Sequence, residues 1–89
     1  MKQAHIIISG FVQGVGYRYF VRANASKLGL NGWVRNTTNG KVEAVFVGVQ
    51  DIIEKMIALC KEGPMLSEVK DIQVEWEEIG EKFEDFVIR

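Results

Sequence analysis

The sequence predicts an α+β domain in which two helices cover one face of an antiparallel sheet. Two runs with apolar residues at helical spacing lie between runs that are rich in β-branched residues or alternate in polarity. An Asn-Gly pair at residues 39–40 indicates a hairpin between two strands. The chain has 89 residues, of which 47% are hydrophobic and 26% charged, which is enough for one small core. We therefore expect a single domain over residues 1–89.

The first part of the chain predicts a strand, a helix and a second strand. Residues 5–9 form a short β-branched run that ends at Gly10, which is typical of a buried strand. Residues 18–28 predict a helix because apolar side chains recur on one face, at Tyr17, Val21, Ala25 and Leu28. Gly29 provides the left-handed residue that commonly ends a helix. Residues 30–37 then predict the second strand.

The middle of the chain predicts the hairpin and a second helix. The turn at residues 38–40 leads into a return strand over residues 41–47. We expect Asp51 to cap the second helix, with Glu54 three residues later as in a capping box. The buried side of this helix is predicted to consist of Ile53, Met56, Ile57 and Cys60. Gly63-Pro64 ends it.

The last part of the chain predicts two strands. Residues 69–77 alternate cleanly, so Ile72, Val74 and Trp76 should face the core while the polar residues face water. A short strand over residues 83–88 follows a turn at Gly80. The order is therefore β-α-β-β-α-β plus a short terminal strand. This is the order of the split β-α-β, or ferredoxin-like, sandwich.

The connection between the first strand and the first helix is the first candidate functional segment. Residues 10–18 read GFVQGVGYR, and a glycine can adopt positive φ without steric cost. The loop amides can then point into one concavity, which together with the positive end of the helix suits an anion such as phosphate. Arg18 lies in the first helical turn, where its side chain tilts back over the loop. The glycine spacing alone equally fits a bent connector with a surface arginine.

Asn36 is the second candidate residue. A β-α-β crossover makes the first two strands parallel, so the loop and the end of the second strand lie where the two strands end, on the same side of the sheet. The third strand lies between them, which separates them by roughly 10 Å. Alternation places Asn36 on the same face as Val34, and if Val34 packs under the helices, this is the side on which Arg18 stands. We therefore expect Arg18 and Asn36 to share one site.

The chemistry available to such a site is limited by its residue types. The Asn36 carboxamide can orient a water molecule but does not titrate. Neither the loop nor residues 32–40 contain Asp, Glu, His, Ser or Cys to act as a base or nucleophile. Catalysis would therefore depend on positioning and charge stabilisation. These effects suffice only for a substrate that is already activated, such as a mixed carboxylic–phosphoric anhydride.

Two motifs resemble the acylphosphatase family: the glycine loop ending in Arg18, and Gly32-Trp33-Val34-Arg35-Asn36 followed by a turn at Gly40. The similarity covers nearly the whole chain. It implies hydrolysis of an acyl phosphate to a carboxylate and orthophosphate, with no metal or cofactor. It also implies that Asn36 orients the water and that phosphate is bound by Gln13, Gly14, Val15, Gly16, Tyr17 and Arg18. Tyr17 stands where the family often has Phe, and Phe20 stands where some members have Thr.

Charge and composition limit the partners. The net charge is −1, with 11 Lys and Arg against 12 Asp and Glu, which argues against nucleic-acid binding. No run approaches the roughly 18–20 apolar residues that cross a bilayer, and the N-terminus lacks the features of a signal peptide. The single cysteine, Cys60, fits a reducing compartment. We therefore expect a cytoplasmic protein, and a compact chain without a leftover apolar element is expected to be a monomer. The resemblance implies a small-molecule acyl phosphate as substrate and inorganic phosphate as product and inhibitor.

Three other functions are compatible with parts of the pattern. A carbamoyl-phosphate-handling domain of a larger maturation protein would share the same motifs. RNA-recognition domains share the element order, but residues 41–47 lack their aromatic run and residues 69–77 expose acids. A regulatory module that binds an anion without turnover would use the same Arg18, and the sequence leaves this alternative open.

Overall fold

The computed structural model describes residues 1–89 and contains five strands and two helices. In chain order these are β1 (Lys2–Phe11), α1 (Tyr17–Lys27), β2 (Asn31–Asn36), β3 (Val42–Gly48), α2 (Gln50–Glu62), β4 (Glu68–Glu77) and β5 (Phe86–Ile88). The strands form one sheet in the order β4-β1-β3-β2-β5. Since β3 lies between β1 and β2, the two β-α-β units interlock as a ferredoxin-like sandwich requires. The predicted α+β fold is confirmed.

The sheet is mixed, so the prediction of a wholly antiparallel sheet was wrong at one edge. The pairs β1–β3, β1–β4 and β2–β3 are antiparallel, whereas β5 runs parallel to β2. The segment after β4 carries the chain across to the opposite edge and reverses its direction. Because β4 runs opposite to β2, a strand that reverses after β4 must run parallel to β2 when it pairs there. Only residues 86–88 of the predicted last strand are in the sheet.

The core lies between the sheet and the two helices. The buried residues of α2 are the four that the helical spacing predicted: Ile53, Met56, Ile57 and Cys60. They pack with the buried side of α1 and with the inward residues of the central strands, such as Ile6 and Phe46. Neither helix combines the length and the apolar character needed to cross a membrane.

The start of α2 differs from the prediction. Val49, not Asp51, is the N-cap residue, and no side chain caps the helix. The Val49 carbonyl accepts hydrogen bonds from the N–H groups of Ile52 and Ile53. Asp51 is already inside the first turn, where its carboxylate can stabilise only the positive end of the helix dipole.

The core-facing side of β4 is less buried than predicted. Trp76 pairs with Ala4, which is fully buried, so the predicted orientation of β4 is correct. However, Val74 is 39% and Trp76 42% exposed. Only Val69 and Ile72 of this strand pack against the core. The reason is that β4 is an edge strand, and the two helices cover the side chains of its second half only in part.

The face of the sheet away from the helices carries a small cluster and a charged network. Trp33 packs with Val45, Val47 and Phe83. The Arg35 guanidinium lies 5.2 Å from the centre of the Trp33 ring and also bonds to Glu43. Burial raises the pKa of the Glu43 carboxyl, but hydrogen bonds from His5 and Arg35 outweigh this effect and leave the pKa below its usual value.

Candidate active site

The loop between β1 and α1 owes its shape to two glycines in the left-handed region. Gly14 has φ 75° and Gly16, the N-cap residue of α1, has φ 78°. A Cβ placed at either position would meet nothing within 4 Å. The glycines are therefore required by the backbone conformation rather than by lack of space. Successive residues curled in this way turn their N–H groups toward one side of the chain.

Gly10 has a different structural role from Gly14 and Gly16. It lies within β1, with φ 129°, at an irregularity of the pairing between β1 and β4. A Cβ there would stand 2.1 Å from the Glu68 carbonyl oxygen. Gly10 therefore allows β4 to approach closely at the point where β1 leads into the loop.

The loop presents hydrogen-bond donors that no other part of the protein uses. The N–H groups of Gly14, Val15 and Gly16 donate no hydrogen bond within the chain. The first turn of α1 contains no acidic residue and has no side-chain cap, so its positive end is not compensated. Such free amides at a helix N-terminus form an anion-binding arrangement.

Arg18 and Asn36 line the same cavity. This cavity has a volume of about 180 Å³ and is formed by Val12, Gly14, Gly16, Tyr17, Arg18, Tyr19 and Asn36. The structure thus brings the loop, the arginine and the end of β2 together, as the topology predicted. Gln13 and Val15, which were also predicted to bind phosphate, are not among the residues that line it.

Sequence reasoning missed two lining residues, Val12 and Tyr19. Val12 is buried, whereas the Tyr19 side chain is 61% exposed at the cavity mouth. The Arg22 guanidinium lies 5.4 Å from the centre of the Tyr19 ring. Tyr19 could have been found from its place in the first turn of α1, next to Arg18.

Asn36 is the last residue of β2 and lies on the helix-covered face. Its register partner in β3 is Val42, which is fully buried. The Asn36 Oδ1 atom is itself buried and has no hydrogen-bond partner within the protein. A buried carbonyl oxygen without a partner is costly, and an incoming donor at the cavity would relieve that cost.

The Gln13 side chain turns away from the cavity toward the β2–β3 hairpin. Its Nε2 donates hydrogen bonds to the carbonyl oxygens of Thr37, at 2.9 Å, and Lys41, at 2.8 Å. Only the backbone of Gln13 is therefore available to a ligand of the loop.

The Tyr17 side chain is buried beneath the loop. Its hydroxyl donates a hydrogen bond to the carbonyl oxygen of Cys60 in α2. Burial raises the pKa of the Tyr17 hydroxyl far above its usual value and raises the pKa of the Cys60 thiol to about 12. Neither group ionises near neutral pH, so neither can act as a base or nucleophile there.

Fold and loop together define a small ferredoxin-like domain with a glycine turn of unbonded amides between its first strand and first helix. The chain belongs to the acylphosphatase family, whose family model matches residues 4–88. The acylphosphatase of Nostoc sp. is 54% identical over 76 residues, covering 85% of this chain and 75% of that protein. The acylphosphatase of Pelotomaculum thermopropionicum is 44% identical over 86 residues, covering 97% and 94%.

Solved structures agree with these relatives. The crystal structure of the Bacillus subtilis acylphosphatase matches with a TM-score of 0.97 at 39% identity, over 100% of this chain and 99% of that one. A structure of full-length HypF in a phosphate- and nucleotide-bound form matches with a TM-score of 0.88 at 35% identity, over 99% of this chain but 12% of that one. The function predicted from the two motifs, an acylphosphatase acting on an acyl phosphate, is confirmed.

Proposed function

We propose that the cavity between the loop and β2 is the site of acyl phosphate hydrolysis. The observation that carries this proposal is that Arg18, Asn36 and the two left-handed glycines line one cavity. In this proposal the phosphoryl group lies against the backbone amides of residues 13–17. The Arg18 guanidinium binds its oxygens from the side of α1.

The electrostatics of the loop support phosphate binding. Three unused amides and the uncompensated end of α1 provide partial positive charge, and Arg18 adds a full one. As water attacks phosphorus, charge is distributed over the phosphoryl oxygens. Donors that are already in place around those oxygens stabilise this charge without reorganisation.

Asn36 orients the attacking water in the proposed mechanism. Its unpartnered Oδ1 accepts a hydrogen bond from the water, whose oxygen then attacks phosphorus in line with the leaving group. The bond between phosphorus and the bridging oxygen breaks, and the carboxylate leaves with the electron pair. Since no carboxylate, imidazole or thiol lines the cavity, a phosphoryl oxygen of the substrate accepts the proton of the water.

The assigned roles are tested by two variants in a benzoyl phosphate assay. We expect Arg18→Gln to weaken phosphate inhibition and to lower kcat/KM by about 100-fold or more. We expect Asn36→Ala to lower kcat while the inhibition constant of phosphate stays near the wild-type value. The matched controls are Arg35→Gln, on the opposite face of β2, and Asn24→Ala, whose amide donates to the Phe20 carbonyl within α1. Wild-type turnover in either test variant would refute its assigned role.

We further propose that the chain acts as a single-domain cytoplasmic monomer whose product, inorganic phosphate, competes with the substrate. One continuous core between the sheet and both helices supports the single domain. The one cysteine is buried and unpaired, as is usual for proteins of reducing compartments.

A further inference from the structure

We propose that the Gln13 side chain is a positioning residue for acyl phosphate hydrolysis, and this inference rests on the function proposed above. Gln13 belongs to the phosphate loop, whereas the two carbonyl groups that it contacts belong to the end of the β2–β3 hairpin. One of them belongs to Thr37, which directly follows Asn36. Gln13 thus sets the position of the phosphate relative to the residue that orients the water.

The hairpin end is a well-defined attachment point. The Thr37 N–H donates to the Lys41 carbonyl at 2.9 Å, and the Lys41 N–H donates to the Thr37 hydroxyl oxygen at 3.0 Å. These bonds close the turn into a ring directly beyond Asn36. The Gln13 amide donates to carbonyl groups on both sides of this ring. It is therefore bonded to the closed turn at two points.

Apolar packing of Val12 and Val15 holds the loop to the core, whereas its hydrogen bonds to the hairpin come from Gln13 alone. The N–H groups of residues 14–16 donate no hydrogen bond within the protein. The space beside the Cα atoms of Gly14 and Gly16 is open, because a Cβ placed there would meet nothing within 4 Å. The sheet does not hold the loop against β2 either, because β3 separates β1 from β2. No other side chain hydrogen bond joins residues 12–16 to the hairpin.

The chemistry of this contact requires glutamine. Both acceptors are carbonyl oxygens, and the carboxamide supplies two N–H donors at the end of a side chain of sufficient length. Glutamate has the same shape but would place acceptors against acceptors. Methionine has a similar length and no donors, and asparagine is one methylene shorter. A shift of about 1 Å between reacting groups can cost on the order of 100-fold in rate, so the spacing itself affects catalysis.

The test measures kcat, KM and phosphate inhibition of Gln13→Met and Gln13→Glu. We expect kcat to fall about 10- to 100-fold, while KM and the inhibition constant of phosphate change less than about threefold. Gln73→Met, an exposed glutamine on β4, is the matched control and should behave as wild type. Melting curves accompany each variant, and Gln13→Asn, which keeps the amide, should lose kcat at a native melting temperature.

A double-mutant cycle separates positioning from general damage. If Gln13 acts through Asn36, Gln13→Met should cost less than about threefold in kcat in an Asn36→Ala background. If the kcat losses of the two single variants multiply in the double variant, the inference is overturned. An unchanged kcat in Gln13→Met would overturn it as well. Failure of the proposed function has a different signature. In that case Asn36→Ala alone would turn over at the wild-type rate, and a loss in Gln13→Met would then show that Gln13 does not act through Asn36.

Discussion

Tyr17 shows how a single residue connects the candidate site to the rest of the molecule. Its hydroxyl donates to the Cys60 carbonyl in the last turn of α2. In a continuing helix that carbonyl would accept from the residue four positions later, but this residue is Pro64, which has no N–H. The tyrosine hydroxyl therefore satisfies a buried carbonyl that the backbone cannot. It also joins the first residue of α1 to α2.

Removing that hydroxyl should destabilise the fold. We expect Tyr17→Phe to lower the free energy of unfolding by about 1–3 kcal/mol, because the Cys60 carbonyl is left buried without a partner. Urea denaturation measures the loss. Tyr19→Phe, which removes a hydroxyl from an exposed side chain, is the control and should change stability by less than about 0.5 kcal/mol. Equal stability of the two variants would contradict this account of Tyr17.

For single residues, the sequence was sufficient to predict which residues belong to the candidate site, but not which side-chain hydrogen bonds they make. The residue types and their order indicated Arg18 and Asn36, because few other residues in those segments carry suitable chemistry. The bonds of Gln13 and Tyr17 were not predictable, since they depend on where side chains from distant parts of the chain meet. The partner of Tyr17 is 43 positions away in the sequence.

At the scale of elements, the junction of the loop with α1 determines the properties of the candidate site. Gly16 occupies the N-cap position in the left-handed region, where it supplies no side chain to the first-turn amides. Helices commonly begin with Ser, Thr, Asp or Asn, whose side chains would bond those amides. A glycine leaves them unoccupied for a ligand.

A side chain at Gly16 should therefore disturb both the backbone and the ligand site. We expect Gly16→Ala to lower the free energy of unfolding by about 1–2 kcal/mol, the usual cost of a left-handed conformation in a residue with Cβ. It should also weaken inhibition by phosphate. Gly80→Ala is the control, because Gly80 is exposed, has no positive φ and has open space around it. If Gly16→Ala and Gly80→Ala had equal effects on thermal melting and on phosphate inhibition, the Gly16 conformation would have no special role.

The elements also show which sequence patterns are sufficient for prediction. The buried side of α2 followed from helical spacing alone, because the residues at this spacing pack into the core against the sheet. The cap of α2 did not follow from the presence of Asp51, because an N-cap depends on backbone angles as well as residue type. Alternation gave the two faces of β4 correctly, but it could not show that the helices leave Val74 and Trp76 half exposed.

At the scale of the whole molecule, topology brings the site together. The loop after β1 and the end of β2 are far apart in the chain. They lie at the same end of the parallel strands β1 and β2, on either side of β3. This placement was predictable, because the right-handed β-α-β crossover fixes strand direction and the split arrangement fixes strand order. The parallel pairing of β5 was not predictable, because the alternation of residues 83–88 carries no information on which edge they join.

The most direct test of the central claim is a titration of the labelled protein with inorganic phosphate, followed through the backbone amide resonances. We expect the largest shifts at Gly14, Val15 and Gly16, and we expect Arg18→Gln to weaken binding at least about tenfold while Arg35→Gln does not. Shifts centred on the opposite face of the sheet, near Arg35, or unchanged affinity in Arg18→Gln, would contradict phosphate binding by the loop.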